Sequence, residues 1–302
     1  MLDSRLVLGF YLTSLAAAIW VLLDSRSRLL HRPAWEGFLW GLGTAVALPV
    51  FLPIYLLAAR ASDRSGLWGP AEMVAIAVFF IVTLPLVAGL AGVVEGTLTL
   101  SKVSVLILVQ NLGFLLLAIF GVAARYRLPL SRLGLHARGW LGWAIVGLLV
   151  GGLMFALTLL AEEAAVFLVG LVEGRDAALA RAAAEHAADP LRRILLATRG
   201  PAEIAWLVAL LAVVVPIGEE VYFRGVFYGG LRNRWGVGWG LAGSTLFFAT
   251  VHQQVVHFLP IAVLAVILAL LYERTRSLLP AIIVHGVNNV IAILAHLYGW
   301  NL

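Results

Sequence analysis

Apolar runs long enough to cross a bilayer follow one another along almost the whole chain. A transmembrane helix needs about 20 consecutive, mostly apolar residues. Such runs are expected near 6–23, 38–59, 74–93, 103–124, 140–160, 202–219, 238–256, 258–273 and 281–298. Inside hydrocarbon every backbone N–H and C=O must be bonded within the protein, which leaves only helices and closed barrels. Runs of this length are helical. The expected fold is therefore all-α, a polytopic transmembrane helical bundle of about eight or nine spans. Composition agrees, with 62% hydrophobic and 12% charged residues, against about 45–50% and about 25% in soluble domains. Tryptophans gather at the ends of runs, among them Trp35, Trp40, Trp140, Trp143, Trp235 and Trp239, where amphipathic rings anchor at the interface.

The net charge of +5 does not argue for nucleic acid. In a membrane protein, basic loops answer to positive-inside bias and anionic headgroups. The expected partner on this ground is the lipid bilayer. No cysteine is present, so thiol nucleophiles and thiolate metal ligands are excluded. Any metal site must use His, Asp, Glu or Asn. The first run lacks a clear small-x-small cleavage site and reads as a retained span. The most polar stretch, 161–200, is alanine-rich with mixed charge and reads as surface helices. Residues 221–235, with Arg224, Arg232 and Arg234 among aromatics, read as an amphipathic interfacial segment. The loop with Arg125, Arg127, Arg132 and Arg138 and the turn with Arg274 and Arg276 are expected on one side of the membrane.

Three fragments in the C-terminal part carry ionisable groups into or beside apolar runs: Glu219-Glu220-x-x-x-Arg224, Phe248-x-x-x-His252 and His285-x-x-x-Asn289. A charge at a helix centre costs roughly 2.5–3.5 kcal/mol on insertion scales. Glu220 and Arg224 are four apart and share a helix face. Glu219 is turned about 100° away, which leaves one carboxylate held and the other free to act as a base. His285 and Asn289 project from one face. Asn289 could orient an imidazole, donate to an oxyanion or complete a metal shell. Each fragment has a plainer reading: a helix end whose charges reach water, a hydrogen-bonded structural histidine, a packing histidine. Phe248 reads as packing, and His257 and His296 as structural. The first four runs carry little beyond Gln110 and Asn111, an asymmetry that favours a localised site over a continuous ion path.

Taken together and in this order, the three fragments resemble the pattern of the CAAX-protease and bacteriocin-processing (CPBP, or Abi) family of intramembrane metalloproteases, which includes the CAAX prenyl protease 2 type. The flanks Gly218 to Gly225 and Glu273 to Asn289 match too, and the resemblance covers about residues 200–300. It implies an N-terminal transmembrane region of about four spans at 1–139 and a protease domain at 140–302. It implies an intramembrane endopeptidase acting on a peptide or lipidated protein near the membrane surface, in the plasma membrane of a prokaryote. Residue by residue, Glu219 would activate water. His252 and His285 would hold that water or a metal and polarise the carbonyl. Asn289 would stabilise the oxyanion, and Glu220 and Arg224 would support the site. If a divalent metal takes part, zinc held by His252, His285 and Glu219 is the expected form, although no H-E-x-x-H motif occurs. Two other readings compete: a proton-coupled transporter, and a non-catalytic immunity or scaffold protein of the same family.

Overall fold

The computed structural model describes residues 14–25, 34–46, 99–124, 126–136, 139–188 and 200–298, with a few isolated positions between them. The expected span at 74–93 and much of that at 38–59 lie outside the described residues. Among the described residues the regular structure is all helical, with no strand. The chain divides into two compact units, 1–90 and 91–302. In the first, α1 (Ser14–Ser25) and α2 (Ala34–Val46) are described. Val21, Leu48, Leu52 and Tyr55 form its apolar cluster, and the Tyr55 hydroxyl donates to Asp24 at 2.7 Å.

The second unit holds the bundle. Its elements are α3 (Leu100–Leu116), continuing as a π-helical stretch to Ala124, then α4 (Trp140–Glu173) and α5 (Arg175–Ala188). There follow α6 (Pro201–Ala209), a π-helical turn at Leu210–Val214, α7 (Val215–Glu220) and a second π-helical segment at Val221–Tyr228. Last come α8 (Gly229–Val251), α9 (Phe258–Thr275) and α10 (Leu279–Tyr298). Five helical stretches among the described residues are long and apolar enough to cross a membrane, the longest being Pro201–Val251. The expected span at 202–219 and most of that at 238–256 fall within that one stretch. At ~1.5 Å per residue its 51 residues greatly exceed a bilayer of ~30 Å, so it has to turn. The turn is at Gly236, with φ 85° and ψ 176°, a backbone state open essentially to glycine.

Small residues let the helices approach. A Cβ on Gly147 would lie 2.7 Å from Ile283, and one on Gly151 would lie 2.8 Å from Val287. These two glycines, one turn apart, seat α4 against α10 as small-x-x-x-small pairs do in membranes. Met154, Leu264, Leu268, Ala281 and Val284 complete that core between α4, α9 and α10. At one end of the bundle Leu278 N–H donates to Gly134 C=O at 3.0 Å, and a His136 ring nitrogen lies 3.1 Å from Arg276 C=O. The two arginine-bearing turns thus lie side by side.

One expectation is overturned. Residues 221–228 are not an interfacial surface segment: Val221, Tyr222, Phe223, Arg224, Gly225, Val226 and Tyr228 are all buried. Tyr222 stacks on Phe114 at 4.6 Å between centroids, and Phe223 meets Phe248 edge to face at 4.8 Å. The aromatic face that resembled a lipid-facing one is turned into protein.

Candidate active site

α7 ends on Glu219 and Glu220, and the π-helical segment begins at the next residue. Glu220 is wholly buried and Glu219 retains 14% side-chain exposure. Single π-helical turns recur at functional sites because they re-aim side chains within a continuous helix. The i, i+4 pairing read from the sequence is present, with Arg224 Nη1 donating to Glu220 Oε1 at 2.8 Å. The guanidinium also lies over the Phe248 ring, 4.5 Å from its centroid, a cation–π contact. Phe248 therefore does more than fill space. It covers a buried charge.

His285, buried in the second turn of α10, completes the group. Its Nδ1 is 2.9 Å from Glu220 Oε1 and its Nε2 is 3.9 Å from Glu219 Oε2. An ionised carboxylate only accepts, so Nδ1–H donates to Glu220. Nε2 is thereby turned toward Glu219. The 3.9 Å gap is too long for a direct hydrogen bond and suits one bridging water. The other oxygen of Glu220, Oε2, is buried with no hydrogen-bond partner among the described residues. Gly286, the next residue, allows this approach: a Cβ there would collide with the Ala212 carbonyl.

Asn289 lies one turn beyond His285, and its amide donates to the Leu211 carbonyl at 2.8 Å. Leu211 belongs to the π-helical turn Leu210–Val214, where the altered register leaves a carbonyl for a side chain to satisfy. His252 caps the C-terminal end of α8 and is exposed. Its Nδ1 lies 2.7 Å from the Phe248 carbonyl. The ring reaches the rest of the site through Phe248, whose centroid is 4.7 Å from His252 and 6.3 Å from His285. The structure thus gathers Glu219, Glu220, Arg224, Phe248 and His285, and leaves His252 and Asn289 at the margin.

The expected zinc set of His252, His285 and Glu219 is not assembled as one. Among the described residues, the His/Asp/Glu group whose donor atoms all lie within 4.8 Å of one another is Glu162, His186 and His257. The reason is local. His285 is buried beside Glu220, whereas His252 is exposed at the end of α8, and the Phe248 ring neighbours both, its centroid 4.7 Å from His252 and 6.3 Å from His285. The group that could hold a metal was not visible as a motif. Its members are 24 and 71 residues apart, and His257 alone read as structural. Asn111 is a further neighbour: a Cβ on Gly218, beside Glu219, would collide with its side chain.

Residues 201–291 match the family model described as Rce1-like, type II CAAX prenyl endopeptidase Rce1-like. That match is consistent with the CAAX-protease family over this stretch. It contains Glu219, Glu220, Arg224, Phe248, His252, His285 and Asn289, and it supports a membrane endopeptidase of this general kind. Searches of curated proteins and of solved structures found no match. The Rce1-like domain with its apolar helices makes the chain an integral, multi-pass membrane protein.

Proposed function

We propose that the chain is an intramembrane endopeptidase in which Glu219 activates the water that hydrolyses a peptide bond. The observation that carries the reading is the bridge at His285, held at Nδ1 by Glu220 and facing Glu219 across 3.9 Å with Nε2. A single water about 2.8 Å from both Glu219 Oε2 and His285 Nε2 subtends an angle of about 90°, close to what its two hydrogens need. One hydrogen bonds to the imidazole. The other passes to Glu219 as the water oxygen attacks the scissile carbonyl carbon. Glu219 then returns that proton to the leaving amine, the general acid–base cycle a single carboxylate can run.

The pair of glutamates divides this work. Glu220 is buried and engaged by Arg224 and His285, so it positions rather than reacts. Glu219 is the carboxylate with access. An amide has two N–H groups. One of Asn289's serves Leu211, and the second is assigned to the tetrahedral oxyanion, with His252 Nε2 at the outer side of the scissile carbonyl. Glu219, His252 and His285 do not converge as a ligand set, and no step is assigned to a metal. The substrate class is a peptide or lipidated protein presented from the bilayer.

The test is cleavage of a membrane-anchored peptide by the protein in proteoliposomes. Glu219→Gln is expected to lower the rate by about 10²–10⁴-fold with unfolding unchanged. Undiminished cleavage by Glu219→Gln overturns the assignment. A transporter would instead show proton flux across the vesicle that Glu219→Gln abolishes without any product peptide.

A further inference from the structure

Beyond the Glu219 site, α4, α5 and the turn between α8 and α9 bring four more titratable side chains together. α4 is 34 residues long, and at ~1.5 Å per residue Glu162 stands ~33 Å from Trp140. That distance carries it to the far edge of a ~30 Å hydrocarbon layer. There His186 Nε2 is 3.1 Å from Glu162 Oε1, His257 Nε2 is 3.6 Å from the same oxygen, and the two Nε2 atoms are 3.1 Å apart. Zinc binds imidazole nitrogen and carboxylate oxygen at about 2.0–2.2 Å, so tetrahedral neighbours are spaced by about 3.3–3.5 Å. The three donor atoms already have close to that spacing.

Glu185 orients the group. Its carboxylate accepts from His257 Nδ1 at 2.9 Å and from the N–H groups of Val255, Val256 and His257 at 2.8, 3.1 and 3.2 Å. With Nδ1 held by Glu185, the His257 ring turns Nε2 toward His186 and Glu162. This is the carboxylate–histidine–metal arrangement in which the outer carboxylate sets the tautomer.

We propose that Glu162, His186 and His257 bind one zinc ion, with Glu185 as the positioning residue. The zinc clamps the extramembrane helix α5 and the end of α4 to the turn that follows His252. Ala165, Ala182 and Val256 pack beneath it, so the clamp sits on an existing contact. The site is separate from the Glu219 site and stands or falls independently of the proposed hydrolysis.

The test is zinc content and thermal unfolding of the full chain in detergent, after chelation and dialysis against zinc. About one zinc per chain, with unfolding shifted upward by zinc, is expected for the wild type and for His285→Ala. His186→Ala and His257→Ala should retain none and lose the zinc-dependent shift. Glu185→Gln should keep the site with affinity about 10–100-fold weaker. Failure of the wild type to retain zinc overturns the proposal. So does equal retention by His186→Ala, whose partly exposed ring makes it the variant most tolerant of change, or loss of the zinc with His285→Ala.

Discussion

Replacing Glu220 by glutamine tests the centre of the bundle most directly. The side chain is 0% exposed and its partner Arg224 is 2% exposed, with 2.8 Å between the charged atoms. Glutamine keeps the shape and removes the charge. It leaves the guanidinium buried against the Phe248 ring and the Ala265 carbonyl without its direct ion-pair partner. Breaking a buried pair from one side costs about 3–5 kcal/mol, because the remaining charge stays desolvated. Glu220→Gln should therefore lower the unfolding free energy by about that amount in a reversible denaturant titration of the detergent-solubilised protein. The same change replaces the charged acceptor that holds His285 toward Glu219 by a neutral amide oxygen, which weakens that hold, so cleavage should fall as well. Replacing both members by apolar residues of similar volume, Glu220→Leu with Arg224→Met, should recover most of the stability and none of the activity, since a buried pair exchanged whole is often neutral. Glu220→Gln unfolding at the wild-type midpoint would refute the reasoning, as would a double variant no more stable than the single one.

Other outcomes follow from single contacts. Asn289→Ala should lower kcat by about 10²–10³-fold if its second amide hydrogen meets the oxyanion, and should cost about 1 kcal/mol for the lost bond to Leu211. A rate within threefold of wild type removes Asn289 from the site. Gly286→Ala puts a methyl group against the backbone carbonyl of Ala212. It should destabilise by about 1–3 kcal/mol and reduce cleavage through displacement of His285, although residue 286 itself takes no part in the chemistry. Gly134 has φ 83° and a Cβ there would lie 2.6 Å from the Tyr272 ring. Gly134→Ala should cost about 1–2 kcal/mol from backbone strain, seen as a lower unfolding midpoint with kcat unchanged.

Some of this was legible in the residues because it is local. The length of the apolar runs implies helices, since hydrocarbon offers no other partner for the backbone. The Glu220–Arg224 pair follows from helical spacing, and so does the separate direction of Glu219. The fragments that resemble the CAAX-protease pattern lie within the stretch that matches the Rce1-like family. The misreading of 221–235 shows the limit. An amphipathic face records that a helix has one apolar side, and lipid, headgroup and protein interior satisfy that side equally. Phe114 and Phe248 decided it for 221–228, and neither is near that segment in the chain.

Tertiary structure decided every relation between elements. The His285 ring is held by Glu220 from 65 residues away, and Asn289 is directed to Leu211 by a π-helical turn that no residue type announces. Glu162, His186 and His257 meet at a spacing no motif encodes. Sequence alone determined that the chain is helical and membrane-borne and which ionisable groups its C-terminal helices carry, because those properties depend on transfer free energy and on turns of a single helix. Which of those groups share a water or a cation depends on how helices cross, and that is set by packing among residues far apart in the chain.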